Sequence, residues 1–222
     1  MVDLAAWHSV LIEMHNGMLT LATICILAII IDRIHLRISG TNDGEGGFWS
    51  TDSSMGKLSR YTEPTAFVAG IGGIIGLVTS AIVGIYVWPI ELITSSALGL
   101  NKVLFSILAT ELWVIFVFLR SKYGENLWKS GGLATVYSFL GLLGFLFIVI
   151  AGSLGSHMTV LGSQLAEYAK KGSIIDPIYA FLGIDPLTYG VTGSDFMVIL
   201  LVVSIVLVVT PLVVVMYLQR RK

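Results

Sequence analysis

The 222-residue chain is 55% hydrophobic and only 12% charged, with a mean hydropathy of +0.89; so much apolar surface does not fit inside one water-soluble core, and lipid is the solvent for most of it. A formal net charge of −1 argues against nucleic-acid binding, which needs a basic surface to neutralise phosphates. The single cysteine, Cys25, excludes an intrachain disulfide and reads as packing within an apolar run.

Five apolar runs are long enough to cross a bilayer: Ser9 to Leu36, Thr65 to Trp88, Leu98 to Leu119, Leu133 to Ser156 and Phe196 to Leu218. The N-terminal "MVDLAAW" has no basic n-region and no small-residue cleavage site, so the first run reads as a retained span. That span contains "WHSVLIEMHNGMLTLATICILAIIIDRIHLR", with His8, His15 and His35. His8 and His15 are two turns apart, sharing a helix face at an axial separation of about 10 Å, too far for both to bind one small ion directly. His35, beside Asp32, Arg33 and Arg37, reads as an interfacial polar residue.

The connector "SGTNDGEGGFWSTDSSMGKLSRYTEP" is expected to be flexible and closed by Pro64 at the head of the second span. In that span Ala69, Gly73, Gly76, Ser80 and Gly84 make a side-chain-poor stripe, and Trp88 with Pro89 marks an interface. The third span places Glu111 near its midpoint, where a carboxylate normally faces the bundle interior. Its readings are a proton relay, a quinone or cofactor contact, or a structural hydrogen bond. The fourth span carries Gly141, Gly144, Ala151, Gly152 and Gly155 just before His157. Residues 161–195, with two Asp-Pro steps and several aromatics, are expected to form an ordered extracytoplasmic cap. The last span, β-branched and containing Pro211, reads as a lipid-facing or partner-facing helix ending in a basic tail.

Ten of the 13 basic residues lie between spans one and two, between three and four, or at the C-terminus; only Lys102, Lys170 and Lys171 fall on the other side. The positive-inside rule then predicts an N-out, C-in protein. The expected architecture is an all-α integral membrane protein: a four-helix transmembrane core over residues 1–160, the cap, and a fifth transmembrane helix with its tail over 196–222. No internal repeat points to an inverted-repeat transporter, and no nucleophile elbow, phosphate loop or zinc-protease helix is present.

This orientation puts His8, His15 and His157 on the outer side. A haem needs axial imidazoles between helices and room for the porphyrin. His15 and His157 are the candidate ligands, with His8 as a weaker third, and Gly73, Gly76, Gly152 and Gly155 are candidates for the space. Small-residue stripes also serve plain helix packing. A metal ion held by His8, His15 and His157 with Glu13 is a rival use of the same residues.

"HNGMLTLATICILAIIIDRI" and "IAGSLGSHMTVLG" resemble the first and fourth helices of small prokaryotic membrane proteins of unknown function, whose first helix opens with HPxxxHF and which are taken to bind haem b. The resemblance covers roughly residues 8 to 160. The family's His-Pro is His8-Ser9 here, and Asn101 stands where the family often has a histidine, so the carry-over is to His15 and His157, with His8 weaker. It implies one haem b near the outer face, with a His/Met pair open through Met18 or Met158. The expected function is a multi-pass subunit of a respiratory or redox complex in a prokaryotic plasma membrane. It would pass electrons between quinol and an extracytoplasmic redox partner, alongside other membrane subunits. The alternatives are a structural or assembly subunit, and a small proton-coupled transporter using Glu111.

Overall fold

The computed structural model describes residues 4–38, 57–88, 90, 97–160 and 193–220. Among the described residues all regular structure is helical: α1 (Leu4–Ile38), α2 (Lys57–Val87), α3 (Ala97–Tyr123), a 3₁₀ segment (Gly124–Lys129), α4 (Gly131–Val160) and α5 (Gly193–Arg220). Five helices are long and apolar enough to cross a membrane, and the chain is a multi-pass membrane protein. Helices suit this solvent because each satisfies its own backbone hydrogen bonds. Hydroxyls within them follow the same rule: Thr23, Thr65, Thr79 and Thr110 each donate to the carbonyl four residues back.

Each predicted run falls inside one helix, except that Trp88 lies one residue past the end of α2. The clearest departure is at α2, which starts at Lys57, so Pro64 lies within the helix rather than at its head. Pro64 lacks an N–H and forfeits one backbone bond, but two polar contacts hold the turns around it. Asp32 of α1 accepts hydrogen bonds from the Ser59 hydroxyl and from the Ser59 N–H at 3.3 Å, so a carboxylate from a neighbouring helix caps the start of α2. Glu63 forms a two-pronged ion pair with Arg120 of α3, through Nε to Oε1 and through Nη2 to Oε2 at 2.8 Å. Replacing the buried Ser59 by Ala is expected to lower stability by about 1.5–3 kcal/mol, the range for a hydrogen bond to a charged group, read as a lower midpoint of thermal unfolding in detergent.

Helix contacts run α1 with α2, α2 with α3, α3 with α4 and α4 with α1; α5 touches α3 and α4. The extensive contacts are α1 on α2 and α3 on α4, and both pairs are antiparallel. Buried residues of α1 form one stripe, His15, Leu19, Ala22, Ile26, Ile29 and Arg33, at the three-and-four spacing of a single helix face. Across it stands an aromatic cluster: Phe116 stacks on Tyr137 at 3.9 Å between centroids, while Trp113 and Trp128 meet these rings edge-on. The 3₁₀ segment buries Leu127 and Trp128 under the bundle, after α3 ends at Tyr123 and Gly124 follows with φ of +54°. Most of α5 shows exposed apolar side chains, among them Val198, Leu201, Ile205, Val209 and Met216.

Residues 39–56 of the expected flexible connector and 161–192 of the expected cap lie outside the described residues.

Candidate functional site at the N-terminal end of the bundle

His15 is 6% exposed and opens the buried stripe of α1. Its Nδ1 lies 2.8 Å from the Leu11 carbonyl oxygen, which only accepts, so Nδ1 carries a proton, and in the neutral ring this places the lone pair at Nε2. A backbone carbonyl holding the far nitrogen is the usual way in which a ligating imidazole is oriented. His8, one turn in from the start of α1, lies on the same face. A Cβ added at Gly84 would sit 2.9 Å from its Cε1. The ring is near the Ser80 backbone, and Nδ1 is sealed from solvent without a hydrogen-bond partner among the described residues.

The glycine stripes are occupied by neighbouring side chains. Leu19 of α1 fills the notch at Gly73, and the Met18 sulfur that at Gly72. At Gly76 an added Cβ would lie 2.7 Å from the Cβ of His15, so α1 and α2 are in close contact at that level. On α4, Ile26 of α1 fills Gly141, the Trp113 indole lies against Gly144, and the Lys102 amine against Gly155. Gly152 is different: it is exposed, and nothing lies within 4 Å of an added Cβ. A porphyrin therefore has no slot at Gly73 or Gly76. The open flank is at Gly152.

The Ile26–Gly141 contact sets the register of α1 against antiparallel α4. His15 and Gly152 each lie eleven residues from that contact toward the N-terminal end, about 16 Å along their helices, and are level with each other. The His157 backbone is a further five residues along α4, about 7 Å beyond His15 and close to the level of His8. The side chains of His157 and Met158 lie outside the described residues. Among those described, no three His, Cys, Asp or Glu side chains are grouped as metal ligands. Glu111 is partly buried midway along α3, with Oε2 sealed and without a hydrogen-bond partner among the described residues.

Several polar residues escape a sequence reading centred on histidines. Lys102, packed against Gly155 of α4, lies toward the same end of the bundle as His8 and His15, which pack against Gly84 and Gly76 of α2. At the opposite end, the nearly buried Arg33 places its guanidinium 6.0 Å from the Trp128 ring centre, beside the Asp32–Ser59 and Glu63–Arg120 contacts. A usable signal was the spacing: His15 and Arg33 on α1, and Lys102 and Arg120 on α3, are each 18 residues apart, about 27 Å of helix.

No family model, curated protein or solved structure matches the chain. The functional reading therefore rests on the residues and their geometry.

Proposed function

We propose that the chain is a b-type haem-binding electron-transfer subunit in a prokaryotic plasma membrane, oriented N-out and C-in, with a fifth helix added to a four-helix core. The observation that carries this reading is His15: an imidazole buried on the interior stripe of α1, with Nδ1–H committed to the Leu11 carbonyl, which leaves Nε2 as the nitrogen that would bind iron. Gly152, level with it, supports the reading by offering open space on α4. His15 would hold the iron, with His157 as the candidate second ligand. A bound haem would supply one-electron chemistry, its potential tuned by the axial pair and by burial. With its ligands toward one face, a single haem would serve exchange between quinol in the outer half of the bilayer and an extracytoplasmic partner, since about 30 Å of hydrocarbon separates the two faces.

The test is a dithionite-reduced minus oxidised absorption spectrum of protein purified with haem supplied. A b-type α-band is expected in the wild type and is expected to disappear in His15→Ala. An absent band in folded wild-type protein overturns the proposal. A second reading, a structural subunit that assembles with other membrane chains, is favoured by the filled notches at Gly73, Gly76 and Gly141 and by the exposed apolar surface of α5.

A further inference from the structure

Glu111 stands at the middle of α3, nine residues from Lys102 and nine from Arg120, about 13 Å of helix in each direction and so halfway through the hydrocarbon. It is the only Asp, Glu, Lys, Arg or His in residues 103–119 of α3, and residues 64–87 of α2, 132–156 of α4 and 196–217 of α5, the helices packed against α3, contain none. The titratable side chains of those stretches are the phenols of Tyr86, Tyr137 and Tyr217, and the nearest charged positions on α5, Asp195 and Arg220, are each about 18 Å from its centre.

Two matching stripes show where Glu111 faces. Leu104, Leu108 and Ile115 are buried and, with Glu111 between them, follow the three-and-four spacing of one helix face. Leu112, Trp113 and Phe116 lie against Gly144 and Gly141 of α4, and Phe116 reaches Gly70 of α2, so the Glu111 face is the one left to α5. Ile115 shares its buried cluster with Val215 of α5. On α5 the same spacing gives Ser204, Val208, Pro211 and Val215, all partly or fully buried, while Val202, Val209 and Val213 opposite are exposed. The apolar span of α5, Val198–Tyr217, has Leu207 and Val208 at its centre, which puts them at the depth of Glu111 and Ser204 about one turn away.

Two oxygens on these facing stripes, Glu111 Oε2 and Ser204 Oγ, are sealed and have no hydrogen-bond partner among the described residues. Pro211 adds a third, because it has no N–H to return to the Leu207 carbonyl. A carboxylate and a carbonyl both only accept, so in hydrocarbon a positive charge has to stand between them.

We infer that Glu111, Ser204 and the Leu207 carbonyl form a binding site for a small monovalent cation between α3 and α5, halfway across the membrane. The chemistry is that of a hard positive charge held by oxygens, in a helix pair of which one member is broken by proline. Its source is a proton or a sodium ion. This site stands apart from the haem reading, because it uses neither His15 nor the Gly152 flank.

The experiment follows labelling of the full chain in phosphatidylcholine liposomes by dicyclohexylcarbodiimide, an apolar reagent that attacks protonated carboxyl groups, with the labelled residue identified by mass spectrometry. Rates are measured in mildly acidic and mildly alkaline sodium-free buffer, and with sodium chloride or potassium chloride added. Glu111→Gln, Ser204→Ala and Pro211→Ala, the last of which returns an N–H to the Leu207 carbonyl, are compared with the wild type after circular dichroism has shown wild-type helicity. The label is expected on Glu111 and is expected to vanish in Glu111→Gln. With a proton as the cation, sodium has no effect, and labelling in alkaline buffer is about threefold slower in Ser204→Ala and Pro211→Ala, the loss of one hydrogen bond. With sodium as the cation, sodium but not potassium slows the wild-type reaction, and half-protection needs about threefold more sodium in the same two variants. Rates and sodium protection identical in wild type, Ser204→Ala and Pro211→Ala overturn the inference, because the carboxyl then acts without the oxygens of α5. No label on Glu111 in folded wild-type protein under any of these conditions also overturns it.

Discussion

Arg120→Met is expected to destabilise the protein by about 3–5 kcal/mol, the cost of leaving a buried carboxylate without its partner. Glu63 is 4% exposed and its two oxygens are both engaged by the guanidinium, so truncating the arginine strands a full charge between α2 and α3. Glu63→Gln is expected to be milder, because an amide still accepts one hydrogen bond. The double variant Glu63→Gln/Arg120→Met is expected to lose less than the two single variants added together, since no charge is left uncompensated. Chemical or thermal unfolding in one detergent, followed by far-ultraviolet circular dichroism, measures the whole cycle. Additive losses would show that the pair contributes nothing as a pair.

The second large effect separates the two uses of glycine. Gly76→Val is expected to destabilise by about 1–3 kcal/mol, because its side chain would enter the space of the His15 Cβ and Cα and force α1 away from α2. Gly152→Phe is expected to leave unfolding unchanged, since nothing lies within 4 Å of that position. Under the haem reading the same Gly152→Phe closes the open flank level with His15 and removes the b-type band. Under the structural reading it changes neither stability nor spectrum. Unfolding midpoint and reduced-minus-oxidised spectrum, taken on the same preparations, decide between them.

Much of the fold was legible because a membrane imposes a coarse rule: a run of about twenty apolar residues has to be a helix. The five runs meet that rule with no help from tertiary contacts. The start of α2 was not legible, because Ser59 and Glu63 are polar and Pro64 is a common helix opener; only Asp32 and Arg120, distant in sequence, make those turns helical. The glycine stripes were recognisable as places of close approach, but what approaches them was not. Leu19 at Gly73 and Ile26 at Gly141 depend on the register between helices, which periodicity along one helix does not contain. His15 stood out as a polar residue at the head of an apolar stripe. Lys102 did not, since a lysine near a helix start usually extends toward water, and its turn onto Gly155 is a property of the packed bundle.

The unequal helix contacts bear on how the chain is built during synthesis. α1 and α2 are knit together along their length, as are α3 and α4, whereas the two pairs meet over smaller areas. Each pair is therefore suited to leave the insertion machinery as a hairpin with its own interface complete. The later hairpin then has to find the earlier one in the plane of the membrane, and the Glu63–Arg120 clasp, reaching from one to the other, gives that encounter a single correct alignment.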